Sequence, residues 1–396
     1  MQFYKQLLIG FIFTLFLNCS YGQLTLSNGK HSLEITGAVS TYFNHRFYKD
    51  SLNGSPITDY KKNLYKLKDA QVQLEGRIGN DYEYELQFDL ANMNGNFSDP
   101  ENPGLMDAFM MYKGINWFNI TVGYSKVPYS RSSLTPFIYS TYWKRSLISS
   151  GEFFSRRDIG ITLSKSLSKQ RINIYAGMYN GLGELSILGN NDASGKFEYI
   201  GRVDFAYPSR YRYREIDEKI SPIPMFAIGL NGRYANKQLP KGKSFPTYST
   251  GEFGIKVVDG QKYTYGFDIA GQYKGFSFLF ELHQIKAILV DSNSYLLNGL
   301  PYEYTKGFVK SGGYLCQGNY YFKKQHAIVG FRFEEMNISD LSEGTSQRLS
   351  GTIAYQLNSF NSIIKLQFFK VLTEEQYIDP LKWTEQVRVG WQFLFK

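Results

Sequence analysis

Cysteine is almost absent from the chain. Its 396 residues hold two, Cys19 and Cys316, too few for a disulfide framework or a cysteine-rich metal site. Histidine is scarce as well. His31, His45, His283 and His326 are the only four, and they make no cluster with cysteine. Calcium-loop and phosphate-cradling glycine motifs are missing too. The stretch Ser98-Asp99-Pro100-Glu101 reads as an ordinary external loop. No metal and no cofactor is therefore expected. Beyond residue 22 no run of about 18 apolar residues occurs, which excludes a transmembrane helix.

Rings, by contrast, are abundant. Tyr and Phe number 32 and 31, and aromatic residues make up 17% of the chain, yet the mean hydropathy is negative. A soluble domain with so many rings would bury them and read as less polar overall. A barrel that turns rings to lipid and polar groups to a lumen reconciles the two observations. The formal net charge is +9, from 44 basic and 35 acidic residues. That balance suits anionic solutes, anionic lipid or nucleic acid. The basic stretches Lys61-Lys62 and Tyr211-Arg212-Tyr213-Arg214 are short and read as solvated loops. No nucleic-acid partner is expected.

Met1 to Gly22 reads as a secretory signal. Lys5 supplies the positive start, Leu7–Leu17 the apolar stretch, and Ser20 and Gly22 the small residues before a cut at Gln23. Asn18 before Cys19 fits a lipoprotein cut poorly. The expected organisation is a signal peptide over 1–22 and one barrel domain over 23–396, in the outer membrane of a Gram-negative cell.

Alternation of period two dominates the mature chain. In Tyr82–Leu90 the residues Tyr82, Tyr84, Leu86, Phe88 and Leu90 share one face, and Glu83, Glu85, Gln87 and Asp89 the other. Phe118, Ile120, Val122 and Tyr124 oppose Asn119, Thr121 and Ser125. Val387, Val389, Trp391, Phe393 and Phe395 oppose Arg388 and Gln392. About sixteen such segments run from 33–47 to 383–395. Their connectors alternate between tight (Gly79-Asn80-Asp81, Lys274-Gly275, Lys323-Lys324-Gln325) and long (48–63, 91–104, 127–157, 235–262). Short periplasmic turns and long external loops have that asymmetry. The exception is 209–224, charged and holding Pro222 and Pro224, read as an extended periplasmic turn. The fold class is an all-β, transmembrane, antiparallel up-and-down β-barrel of about sixteen strands, wide enough for water. Strand pattern starts too early for a plug domain.

Loop 127–157 is the connector richest in function. It carries Arg131, Lys144, Arg145, Arg156 and Arg157 against one acid, Glu152. Folded inward, it would bring fixed positive charge to a constriction, where the Arg fork suits oxyanions. Capping the rim, lipid phosphates or a neighbouring subunit is the alternative. Arg77, Arg202, Arg332, Arg348, Lys365 and Arg388 fall on the polar phase of strands. They could form a lumen path for anions, or brace the barrel as ion pairs with acids such as Glu75, Asp204 and Glu334. His283 shares the lumen phase with Glu281 and reads as a satisfied histidine, because no Ser, His and acid fall on one face. An enzyme is not expected.

Several ordered stretches resemble the phosphate-selective porin O and P family. They are Tyr82-Glu83-Tyr84-Glu85-Leu86-Gln87-Phe88-Asp89 with Ala91-Asn92, Asp107-Ala108-Phe109, Val122-Gly123-Tyr124-Ser125-Lys126-Val127-Pro128-Tyr129, Arg145-Ser146, Arg157-Asp158-Ile159-Gly160-Ile161 and Tyr175-Ala176-Gly177-Met178-Tyr179-Asn180-Gly181. The later half is similar only as barrel. The resemblance implies a sixteen-stranded homotrimeric channel with anion preference, its third external loop folded inward and the five basic loop residues at the constriction. The expected function is passive diffusion of small solutes, with anions such as phosphate preferred. A structural or surface-binding barrel is the alternative, and a barrel lipid hydrolase a third reading. All of them require that the purified chain stay in solution only with detergent or lipid; a detergent-free soluble protein in sedimentation would overturn the barrel.

Overall fold

A computed structural model describes residues 24–52, 55–56, 63–92, 104–149, 154–188, 194–238, 258–290, 296–297, 300–301, 308–337, 345–374 and 383–395. The expected signal at 1–22 and Glu152 of the basic loop lie outside the described residues.

Seventeen strands form one antiparallel sheet. In chain order they are β1 (Leu24–Ser27), β2 (His31–Tyr48), β3 (Asn63–Ile78), β4 (Tyr82–Asp89), β5 (Leu105–Tyr112) and β6 (Asn119–Lys126). Then follow β7 (Arg157–Leu167), β8 (Ile172–Tyr179), β9 (Glu198–Tyr207), β10 (Met225–Lys237), β11 (Gly260–Tyr273) and β12 (Phe276–Leu289). The last are β13 (Val309–Phe322), β14 (Ala327–Asn337), β15 (Ser346–Asn358), β16 (Ser362–Glu374) and β17 (Trp383–Phe395). Strands β2 to β17 are the sixteen staves, each paired with its chain neighbours. The cylinder closes where β2 meets β17, from Gly37 opposite Phe395 to Tyr48 opposite Trp383. Closure gives every stave two partners, as hydrocarbon demands, because lipid cannot hydrogen-bond an open sheet edge. The short β1 was not expected from the sequence. It pairs with β2 from Leu24 opposite Ile35 to Ser27 opposite Ser32, covering the edge of β2 beyond the end of β17.

The alternation read from the sequence recurs as burial. Along β9 the residues Glu198, Ile200, Arg202, Asp204 and Ala206 are buried, and Tyr199, Val203, Phe205 and Tyr207 are exposed. Tight turns close on backbone that few side chains favour: Lys274 and Gly275 both have positive φ, 47° and 89°, the pattern of a two-residue hairpin turn matched to strand twist. One phase reading needs correction. Tyr124 was expected to share the lipid face with Val122, yet Tyr124 is buried while Val122 is exposed. Gly123 between them has φ 128°, a conformation open to glycine, and the alternation slips there.

The connector 209–224 also departs from expectation. It is an inward-folded insert. Ile216 and Tyr211 are buried. Ile216 joins Ala38, Ile328, Ala354, Ile363 and Leu394 in one apolar cluster; Tyr211 joins Ala206, Ala227, Ala270, Leu279 and Leu315 in another. These wall residues occupy the lumen phase, mostly near the short-turn ends of the staves. Burying one Ile side chain is worth about 1.5–3 kcal/mol. Polar contacts of Glu215 and Asp217 add to it in holding the segment inside.

The β2–β17 seam is tested at Gly390. A Cβ there would strike the Thr41 carbonyl and lie 2.6 Å from the Tyr42 Cα. Gly390→Leu should cost about 1–3 kcal/mol through overpacking, whereas Gly201→Ala, with open space around it, should cost little. Urea midpoints of the two variants in detergent micelles check the contrast.

Candidate pore lining and the basic loop

Lys126 ends β6 and Arg157 begins β7, so the expected loop is 127–156 in the structure. Its base is pinned where Val127 N–H donates to the Arg156 carbonyl at 2.8 Å. Ser130 caps a single helical turn, Arg131–Leu134, by accepting from the Ser133 N–H at 3.1 Å, a role short hydroxyl side chains perform well. That turn aims Arg131 at two wall carboxylates. Arg131 lies 2.6 Å from Asp268 and 3.1 Å from Asp204. Arg202 completes the group, 2.6 Å from Asp204 and 2.7 Å from Asp268. Two guanidiniums and two carboxylates thus neutralise one another inside the barrel.

The rest of the loop crosses the staves from β12 to β17. Ser130 and Ser132 donate to Glu281 at 2.9 and 2.7 Å, Leu147 N–H to Glu334 at 2.9 Å, and Trp143 N–H to Gln367 at 2.7 Å. In the opposite sense, wall cations serve loop carbonyls. Arg332 donates to Lys144 O at 2.9 Å, Arg348 to Arg145 O at 2.7 Å, Lys365 to Ser140 O at 2.7 Å, and Arg202 to Tyr129 O. A loop carbonyl taken out of water needs a donor, and a cation is a strong one. Burial holds the Tyr129 and Tyr142 phenols well above their ordinary pKa, so both stay neutral.

The residues anticipated from sequence therefore divide. Arg202, Arg332, Arg348 and Lys365 hold the loop; Arg332 also meets Glu215 at 3.3 Å and Arg348 meets Glu334 at 2.6 Å. Arg388 donates to Gln386 at 2.9 Å and stacks near Tyr42. Arg156 is buried and Lys144 half-buried. Arg157 engages Asp107 through two bonds of 3.1 and 2.8 Å. Arg145 donates to the Ser132 and Thr135 carbonyls at 3.3 and 3.4 Å. Arg77 stays exposed at the short-turn mouth, 3.4 Å from Glu83.

Space remains on the other side, against β2 to β6. A cavity of about 340 Å³ is bordered by Glu34, Gln71, Gln73, Glu75, Glu85 and Gln87 on the wall. Facing them are the loop residues Pro136–Tyr139 and three cations, Lys126, Arg145 and Arg157. Lys126 was missed by sequence reasoning because the slip at Gly123 changes its phase. A second cavity of about 460 Å³ continues toward the short-turn end past Glu83 and Arg77.

Ser130, Ser132, Glu281 and His283 are brought together, with Glu281 Oε2 3.5 Å from His283 Nε2, but neither serine hydroxyl meets the histidine. Both serine hydroxyls donate to Glu281, and His283 Nδ1 lies 3.2 Å from the Tyr129 hydroxyl, so the Ser–His contact of a serine–histidine nucleophile pair is not formed. His283 is packed against the Tyr129 and Phe154 rings. The four-charge group predicts a stability effect. Asp268→Asn leaves the Arg131 and Arg202 charges under-compensated and should cost about 3–5 kcal/mol. Adding Arg131→Met should recover part of it, and urea midpoints across the double-mutant cycle measure the coupling.

Comparison with known proteins agrees with the barrel fold. Residues 43–211 match the phosphate-selective porin O and P family. No curated protein matches the sequence. Among solved structures the chain is similar to the channel DcaP of Acinetobacter baumannii, at 11% identity, covering 93% of this chain and 99% of that one, with a TM-score of 0.58. It is similar to an anion-selective porin from Comamonas acidovorans, at 11% identity over 92% and 100% of the two chains, TM-score 0.53. A trimer form of OmpT from Vibrio cholerae shares 10% identity over 92% and 99%, TM-score 0.55. These likenesses show the fold. With the match of residues 43–211 to the phosphate-selective porin O and P family, they place the chain among the outer-membrane channels of Gram-negative cells.

Proposed function

We propose that the protein is a passive diffusion channel for small hydrophilic solutes, with anions such as phosphate preferred, and that it assembles as a homotrimer. One observation carries the reading: the remaining cavity is bounded on its loop side by Lys126, Arg145 and Arg157. Arg145 donates to the Ser132 and Thr135 carbonyls and reaches the cavity border from the loop. Lys126 supplies a compact cation at the external end of β6. Glu34, Glu75 and Glu85 border the same cavity, so an anion is drawn toward the cations and held away from these carboxylates. Such charges discriminate by sign while the cavity limits size. The anion-selective porin among the structural neighbours and the trimer form of another are consistent with the proposal. The loop folded into the lumen is the constriction in this reading, with the role narrowed to Arg145 and Arg157 and joined by Lys126.

A structural or surface-binding barrel is favoured by a different observation, the filling of the β9–β17 side of the lumen by two inserts. Planar bilayers separate the readings. The purified protein should give stepwise conductance with reversal potentials favouring anions. Lys126→Gln with Arg145→Gln should shift selectivity toward cations, and Glu75→Gln with Glu85→Gln should sharpen anion preference. An unchanged reversal potential in the first variant sinks the assignment; absence of any conductance from folded protein favours the structural reading.

A further inference from the structure

We infer that the short-turn rim of the barrel between β7 and β14 is a binding surface for anionic phospholipid headgroups of the inner leaflet. Four successive connectors build it. Lys169 and Arg171 stand between β7 and β8, and Arg210 and Arg212 between β9 and β10. Lys274 joins β11 to β12, and Lys323 and Lys324 join β13 to β14. All are exposed. Connectors on the remaining arc differ: 79–81 carries Asp81, 114–116 and 359–361 carry no charged residue, and Lys113 is paired with Glu83.

Folding sorts the charges of this rim. Segment 209–224 contains Glu215, Asp217 and Glu218 among its bases, and alone would be nearly balanced. Inside the barrel Glu215 accepts from Ser140, Thr141 and Arg332. Asp217 is buried and accepts from the Ser221 and Gly275 N–H groups at 2.7 and 3.0 Å. Glu218 accepts from Ser359. Its carboxylates are thus engaged, while Arg210 and Arg212 face water. No exposed carboxylate is found in these four connectors among the described residues.

The depth of the cations selects the partner. Each lies within a few residues of an exposed ring or aliphatic side chain on the lipid face. Leu167 precedes Lys169, Tyr207 precedes Arg210 and packs on Phe226 at 5.5 Å, and Phe322 precedes Lys323 and packs on Tyr320 at 4.6 Å. Lys274 Nζ lies 5.0 Å from the centre of the exposed Tyr273 ring, so this ammonium sits at the outer wall. Rings of this kind mark the membrane–water boundary. Lys169, Arg210, Lys274, Lys323 and Lys324, one to three residues beyond them, stand at headgroup phosphates, where each Lys or Arg adds attraction to an anionic surface.

The full-length protein, exchanged through vesicles of phosphatidylcholine with an equal part of phosphatidylglycerol and re-extracted, should retain phosphatidylglycerol with roughly fivefold or greater enrichment by native mass spectrometry. Lys169→Gln, Arg171→Gln, Lys274→Gln, Lys323→Gln and Lys324→Gln together should abolish the enrichment while single-channel conductance stays unchanged, which keeps this test separate from the channel reading. Lys274→Arg, Lys323→Arg and Lys324→Arg should preserve it. Equal retention of both lipids, or persistent enrichment in the Gln variant, overturns the inference. So does displacement by inorganic phosphate beyond that by chloride of equal ionic strength, which would mark a free-anion site. Preferential co-sedimentation with isolated peptidoglycan over vesicles overturns it as well.

Discussion

Hydrocarbon offers no partner to a backbone N–H or carbonyl, and everything in this molecule follows from that. A spanning sheet must close on itself. Closure gives each stave a lipid side and a lumen side, and the two sides then obey opposite rules. Outside, rings and branched aliphatics such as Phe205, Leu230 and Trp391 stay exposed because their solvent is lipid. Inside, charged and amide groups meet water or one another.

The lumen of a sixteen-stranded barrel is too wide for wall side chains alone to fill. Two segments enter it instead. The basic loop comes from the long-loop end, the 209–224 segment from the short-turn end, and they meet inside. Glu215 accepts from Ser140 at 3.0 Å and from Thr141 N–H at 2.9 Å, and the Arg214 guanidinium lies 3.2 Å from the centre of the Tyr139 ring. Wall cations are thereby drawn into holding loop carbonyls. Their number says little about selectivity; what matters is which of them border open space. Open space remains on the β2–β6 side, in a cavity bordered by Lys126, Arg145 and Arg157 together with Glu34, Glu75 and Glu85.

The staves were legible because their signal is local. Alternation in Tyr82–Leu90 and the break at Lys274-Gly275 concern neighbours two residues apart, and pleat geometry converts that spacing directly into faces. The insert at 209–224 left a fainter signal. Ala206, Ala227, Ala270, Ile328, Ala354 and Ile363 interrupt the polar phase with small or apolar residues, and an apolar lumen wall calls for an apolar occupant. The slip at Gly123 escaped because composition alone does not reveal a backbone φ, so Tyr124 was assigned the wrong face and Lys126 was overlooked.

Sequence by itself determined the alternating staves, their approximate count, the asymmetry of their connectors and the positions of the basic residues, since each is written in residues close in the chain; closure itself joins Gly37 to Phe395 at opposite ends of it. Tertiary structure alone decided which cations are spent on carboxylates and carbonyls. Arg131 meets Asp268 across 137 residues, and Arg348 meets the Arg145 carbonyl across 203. Such pairings depend on how the cylinder curves and on what enters it. Periodicity along one strand carries no record of either.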